Sequence, residues 1–174
     1  MSLLATDRYE LGIRRYPLVV YTLVPLAALV LQAWLPRQRG CEFVAYIDLP
    51  FVITVYFALG RRSPLQGTML GCLLGLMQDA LTHQPIGLYG ITKSIVGFIA
   101  GSVGVRIDET SRTVRLIVVI LLSLASSAIY LFIFHELLGL NLKWNWITEL
   151  LRALGNSLVA LTLFPLLDRT EMRD

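Results

Sequence analysis

Residues 67–79 read GTMLGCLLGLMQD. Glycine recurs every fourth position, at Gly67, Gly71 and Gly75, and one further step of four reaches Asp79. Residues four apart share one face of a helix. The run therefore predicts an apolar helix whose smooth glycine edge ends in a carboxylate. Small residues in one stripe let a second helix backbone come close, a common way for helices to pair in lipid. The partner follows directly: Gly90, Lys93, Gly97, Gly101 and Gly104 are spaced three, four, four and three apart, and only THQP separates the two runs. Two antiparallel helices with facing glycine edges are expected, with Asp79 meeting Lys93 near the shared turn.

Composition identifies the solvent. Of 174 residues, 56% are hydrophobic and 16% charged, and the mean hydropathy is +0.68. A water-soluble domain carries about a quarter charged residues. Six apolar runs, at about 16–35, 43–59, 64–81, 86–105, 113–138 and 147–167, are each long enough to cross a bilayer as a helix. Backbone polar groups find no water in lipid, which favours helices, and the alternation of a membrane barrel is absent. The fold class expected is all-α: a polytopic six-helix membrane bundle forming one domain over 1–174. The first run is too long for a signal h-region, and no small-x-small site follows LQAWLPRQRG, so it is expected to stay as an anchor.

Basic residues set the orientation. Arg8, Arg14, Arg15, Arg61, Arg62, Arg106, Arg112, Arg115, Arg169 and Arg173 fall on the side that holds both termini. Only Arg37, Arg39 and Lys143 fall on the other. The positive-inside rule places both termini in the cytoplasm. Trp34, Trp144 and Trp146 all lie at outer ends of runs, as an aromatic belt requires. The net charge of +3 is thus mostly a topology signal, with no nucleic-acid patch in it. Cys41 and Cys72 are placed at depths that make a disulfide awkward.

Four of the charges inside predicted spans, two acids and two bases, are placed in one layer of the outer third of the membrane: Asp48, Asp79, Lys93 and Arg152. Charges at that depth face the bundle interior and take partners or water. Pro50 is expected to bend span two outward and open a cavity beside them. Two readings of an Asp79–Lys93 pair stand open: a lock on helix register, or part of a functional pocket. For Gly67, Gly71, Gly75, Gly90, Gly97 and Gly101 the role expected is helix packing. Ser123, Ser126 and Ser127 are expected to bond to their own helix.

Enzyme signatures were sought without success. FHELLG offers His135 and Glu136, but Gly139 stands where a second zinc histidine is needed. There is no nucleophile elbow, phosphate loop or aspartate-rich cation site. No catalytic residue, metal or cofactor is expected.

The run GTMLGCLLGLMQDALTHQPIGLYGITKSIVGFIAG resembles the central signature of the bacterial rod-shape-determining MreD family. That family has a glycine-rich helix ending in G-l-x-x-D, a short turn, and "lG" opening a second glycine-rich helix. Here these are Gly75, Leu76, Asp79, Ile86 and Gly87. Asp48-Leu49-Pro50 also resembles a pattern of that family. The resemblance is specific over residues 48–104. It implies a non-enzymatic scaffold or regulatory subunit of the elongasome in the bacterial inner membrane. Such a subunit binds MreC and supports side-wall peptidoglycan synthesis and rod shape. Through that complex it influences a RodA-type glycosyltransferase and its penicillin-binding transpeptidase, with membrane lipid around it. The family is similar in fold to the substrate-binding S subunits of energy-coupling-factor transporters. The rival expectation is therefore a small-molecule-binding subunit of a vitamin transporter. Those subunits carry an alanine-xxx-alanine stripe on the first helix, and Ala27, Ala28 and Ala33 do not make that spacing.

Overall fold

The structure, a computed structural model, describes residues 16–35, 46–107, 111–137, 139 and 145–170. Among these residues there are six α-helices, all apolar in large part: α1 Leu18–Trp34, α2 Leu49–Arg61, α3 Pro64–Thr82, α4 Leu88–Arg106, α5 Arg112–Phe132 and α6 Trp146–Asp168. A π-helical turn, Ile133–Leu137, continues α5. No strand occurs among the described residues.

Among the described residues three helices are long and apolar enough to cross a membrane: α4, α5 with its extension to Glu136, and α6. This is narrower than the six spans expected. The glycines and two glutamines of α3 lower its hydropathy, although it is as long as α4. The greatest departure is α2. The apolar run begins at 43, yet the helix begins at Leu49 and has 13 residues, roughly 20 Å of rise. Positions 43–45 lie outside the described residues.

The first turn of α2 explains where it starts. Asp48 is the N-cap, and its carboxylate accepts the Phe51 N–H at 3.0 Å. The Asp48 N–H goes to Asn156 Oδ1 at 2.8 Å, and the Leu49 N–H to Gln32 Oε1 at 3.0 Å. Pro50 has no N–H to satisfy. Three helices thus complete the donors that every helix start leaves open. Pro50 stands in the first turn of α2, where proline breaks no helical bond, so the cause of the expected bend is missing.

Every residue of α2 from Pro50 to Gly60 is buried. A helix that is apolar all round belongs inside a bundle, and α2 is the axis on which α1, α3, α4 and α6 pack. Phe57 meets Tyr16 and Tyr21 edge-on, and Tyr56 meets Phe164. The outer faces are the reverse: Leu73, Phe98, Leu121 and Leu158 are all more than half exposed. Apolar side chains around the perimeter suit a lipid environment better than water.

The closest pairing is α3 with α4. A Cβ placed on Gly67 would overlap the Gly97 carbonyl, one on Gly71 the Lys93 carbonyl, and one on Gly75 the Tyr89 carbonyl. Each step of four along α3 is met by a step of four back along α4. Gly101 continues the seam against the Ser63 carbonyl, 2.7 Å from where its Cβ would lie, and Gly104 against Leu59 of α2. Gly90 differs: the side chain of Leu76 fills the space over it. At the far end of the bundle, Arg115 Nη1 lies 2.7 Å from Asp168 Oδ2, and the Tyr56 hydroxyl donates to Asp168 Oδ1 at 3.0 Å.

Candidate functional site

Asp79 and Lys93 do not make the ion pair expected from the sequence. The seam register shows why. Lys93 sits opposite Gly71, two helical turns below Asp79, or about 12 Å along the axis. Asp79 is opposite the 83–87 turn, and its carboxylate closes that turn. Oδ2 accepts the N–H of Gly87 at 2.9 Å and of Gly90 at 3.2 Å, and Oδ1 accepts that of Tyr89 at 3.0 Å. The Asp79 carbonyl meanwhile accepts the N–H groups of His83 and Gln84 that end α3. One residue thus caps the C-terminus of its own helix and the N-terminus of the next. The carboxylate lies fully buried at the positive end of α4, where backbone donors replace a cationic partner. Gly87 takes φ +101°, which a side chain would strain.

Lys93 is fully buried, and its ammonium lies 2.5 Å from Asp48 Oδ2. The same number of residues separates Asp48 from Leu59 and Lys93 from Gly104. The α2–α4 contact at Leu59 and Gly104 therefore sets the two charges level. The ammonium also lies 5.3 Å from the Tyr89 ring centroid and 5.9 Å from that of Phe51. Asp48 thus serves two groups, one oxygen on the α2 cap and the other on Lys93. Burial of such a pair is tolerated only when both members keep their partners.

Arg152 joins Asp48 at the rim of one cavity but pairs elsewhere. Its Nη1 lies 3.2 Å from Glu149 Oε1, one turn back on α6. Glu149 is buried, whereas the Arg152 side chain is 40% exposed. Of the four charges expected in one layer, Asp48 and Lys93 meet directly, Arg152 lies across the cavity, and Asp79 belongs to the turn beside it.

The cavity is partly open, and its empty space of about 510 Å³ includes solvent at the mouth. Asp48 and Phe51 form one wall, and Tyr89 and Tyr130, with ring centroids 5.1 Å apart, form another. Gln78 comes from α3, Ser123, Ser126 and Ser127 from α5, and Asn156 and Arg152 from α6. Ser123 does not bond to its own helix as expected; its hydroxyl accepts from Asn156 Nδ2 at 2.9 Å. Ser126 and Ser127 make no hydrogen bond among the described residues. Gln78 is 4% exposed, and its Oε1 has no hydrogen-bond partner among the described residues.

Sequence reasoning missed Glu149, Gln78 and Asn156. Their signal was present: each is a polar residue inside a predicted apolar span, Gln78 and Asn156 as neutral amides and Glu149 as a carboxylate three residues before Arg152 on the same helix face. The His135–Glu136 contact at 3.0 Å is exposed and isolated, and no cluster of metal-ligating side chains occurs among the described residues. No protein-family model, curated protein or solved structure matches this chain.

Proposed function

We propose that this chain is a non-catalytic membrane subunit of the MreD type, which binds MreC and supports side-wall peptidoglycan synthesis and rod shape. The observation that carries the reading is the α3–α4 hairpin. Gly75, Leu76, Asp79 and Gly87, which carry the resemblance, each have a place in it. Gly75 faces the Tyr89 carbonyl, Leu76 covers Gly90, Asp79 caps α4, and Gly87 supplies the left-handed turn. A motif whose residues build one device supports the resemblance more than shared hydropathy does.

In this reading the six helices sit in the bacterial inner membrane with both termini in the cytoplasm. Arg61, Arg62, Arg106 and Arg115 mark the cytoplasmic end, and the Asp48 cavity lies at the outer end. Although α2 is short, neighbours cover it on all sides, so it does not need the length of a lipid-facing span. The chain works as a scaffold, with RodA-type and penicillin-binding enzymes reached through MreC.

The test is complementation. In a rod-shaped bacterium depleted of its own MreD, this chain and the MreC of its own genome should restore rods. Round cells that contain both proteins at normal levels would overturn the proposal. The cavity is the one observation that favours a second reading, a small-molecule-binding subunit of an energy-coupling-factor transporter. That reading requires recovery with an energising module instead of MreC.

A further inference from the structure

The Asp48 cavity contains more hydrogen-bonding capacity than the protein uses. Gln78 Oε1 is an acceptor buried away from bulk water with no partner among the described residues. An unmet buried acceptor is costly, about 1–3 kcal/mol in protein interiors, and calls for an explanation such as a water or ligand. Ser126 and Ser127 line the same space with hydroxyls that bond to nothing else among the described residues. The Tyr89 and Tyr130 rings close one side.

Charge narrows the chemistry. Asp48 and Lys93 neutralise each other, as do Glu149 and Arg152. Both Asp48 oxygens are engaged. The interior therefore has no charge in need of a counter-ion. It offers an acceptor, two hydroxyls and an aromatic wall, a set that suits neutral groups rich in O–H. Arg152 stands at the rim, and among the described residues only its Nη1 has a hydrogen-bond partner. A phosphate attached to such a group would fall within reach of its remaining donors.

We infer that the cavity binds a compact, uncharged, hydroxyl-rich group that donates a hydrogen bond to Gln78 Oε1 and exchanges hydrogen bonds with Ser126 and Ser127. The group is that of a free sugar or polyol, or the glycerol headgroup of a lipid whose phosphate lies beside Arg152. This inference rests on the cavity alone and is independent of whether the chain binds MreC.

The test uses the full chain in phosphatidylcholine nanodiscs and reads the unfolding temperature. One arm titrates glucose. A second replaces part of the phosphatidylcholine with phosphatidylglycerol, and a third uses phosphatidylserine, which is anionic but lacks the glycerol headgroup. Saturable stabilisation is expected from glucose, from phosphatidylglycerol, or from both, and the responding arm identifies the source. The half-saturating concentration should rise on the order of tenfold in Gln78→Leu, and likewise in the double variant Ser126→Ala/Ser127→Ala. The serine variant carries the test alone if Gln78→Leu folds poorly. No saturable effect in either arm would overturn the inference and leave the cavity to water. So would equal effects on wild type and variants, or equal effects of phosphatidylserine and phosphatidylglycerol.

Discussion

Replacing Asp79 with alanine removes three hydrogen bonds at once and leaves the N–H groups of Gly87, Tyr89 and Gly90 without their acceptor. Loss of a helix N-cap costs about 0.5–2 kcal/mol. The Gly90 N–H is buried, and a buried donor left unmet costs about 1–3 kcal/mol. The other two lie where water can replace part of the loss. The expected total is about 1.5–5 kcal/mol. For a chain of this size each kcal/mol moves the unfolding temperature by roughly 2–4 °C. Asp79→Ala should therefore unfold ~3–20 °C lower in detergent micelles. Asp79→Asn keeps one acceptor oxygen and should lose about 1–2 kcal/mol. Adding Lys93→Met to either variant should deepen the loss, because the two residues serve different partners. An Asp79→Ala protein within ~2 °C of wild type would refute the cap. Rescue by Lys93→Met would restore the direct pair that the geometry excludes.

Further outcomes test the neighbouring contacts. Gly71→Ala places a methyl inside the Lys93 carbonyl, which should cost about 1–3 kcal/mol or more. Leu73→Ala on the exposed face should cost much less, and equal losses in thermal unfolding would place the seam elsewhere. Lys93→Met and Asp48→Asn should each destabilise by about 3–5 kcal/mol, and the double variant should recover much of that; a double-mutant cycle with no coupling would dissolve the pair. For orientation, an impermeant thiol reagent applied outside intact cells should label a cysteine at Gln84 but not one at Ser63. The opposite pattern would invert the bundle.

The helices whose ends carry chemical signals were readable from the sequence to within two residues. For α3, Ser63 and Pro64 mark the start and a polar THQP turn marks the end. The glycine period also specified which faces of α3 and α4 meet, because backbone contact leaves its trace in side-chain absence. The start of α2 was misplaced because hydropathy runs unbroken across it. The better signal was Asp48-Leu49-Pro50, an N-cap followed by proline in the first turn. Pairing of the charges was harder to read. Asp79 is satisfied by backbone N–H groups, which every residue but proline owns, so nothing in the side-chain pattern identifies them. The level shared by Asp48 and Lys93 depends on how α2 docks on α4, a tertiary contact with no local signature. Gln78 stands beside Asp79 and went unnoticed because a neutral amide raises no charge alarm.

Co-purification decides the functional proposal most directly. The chain, tagged and produced with the MreC and the energy-coupling module of its own genome, is extracted in mild detergent and recovered through the tag. MreC should be recovered with it in a fixed ratio, and Asp79→Ala should reduce that recovery as the α3–α4 hairpin loosens. Recovery of the energy-coupling module with MreC left behind would contradict the proposal.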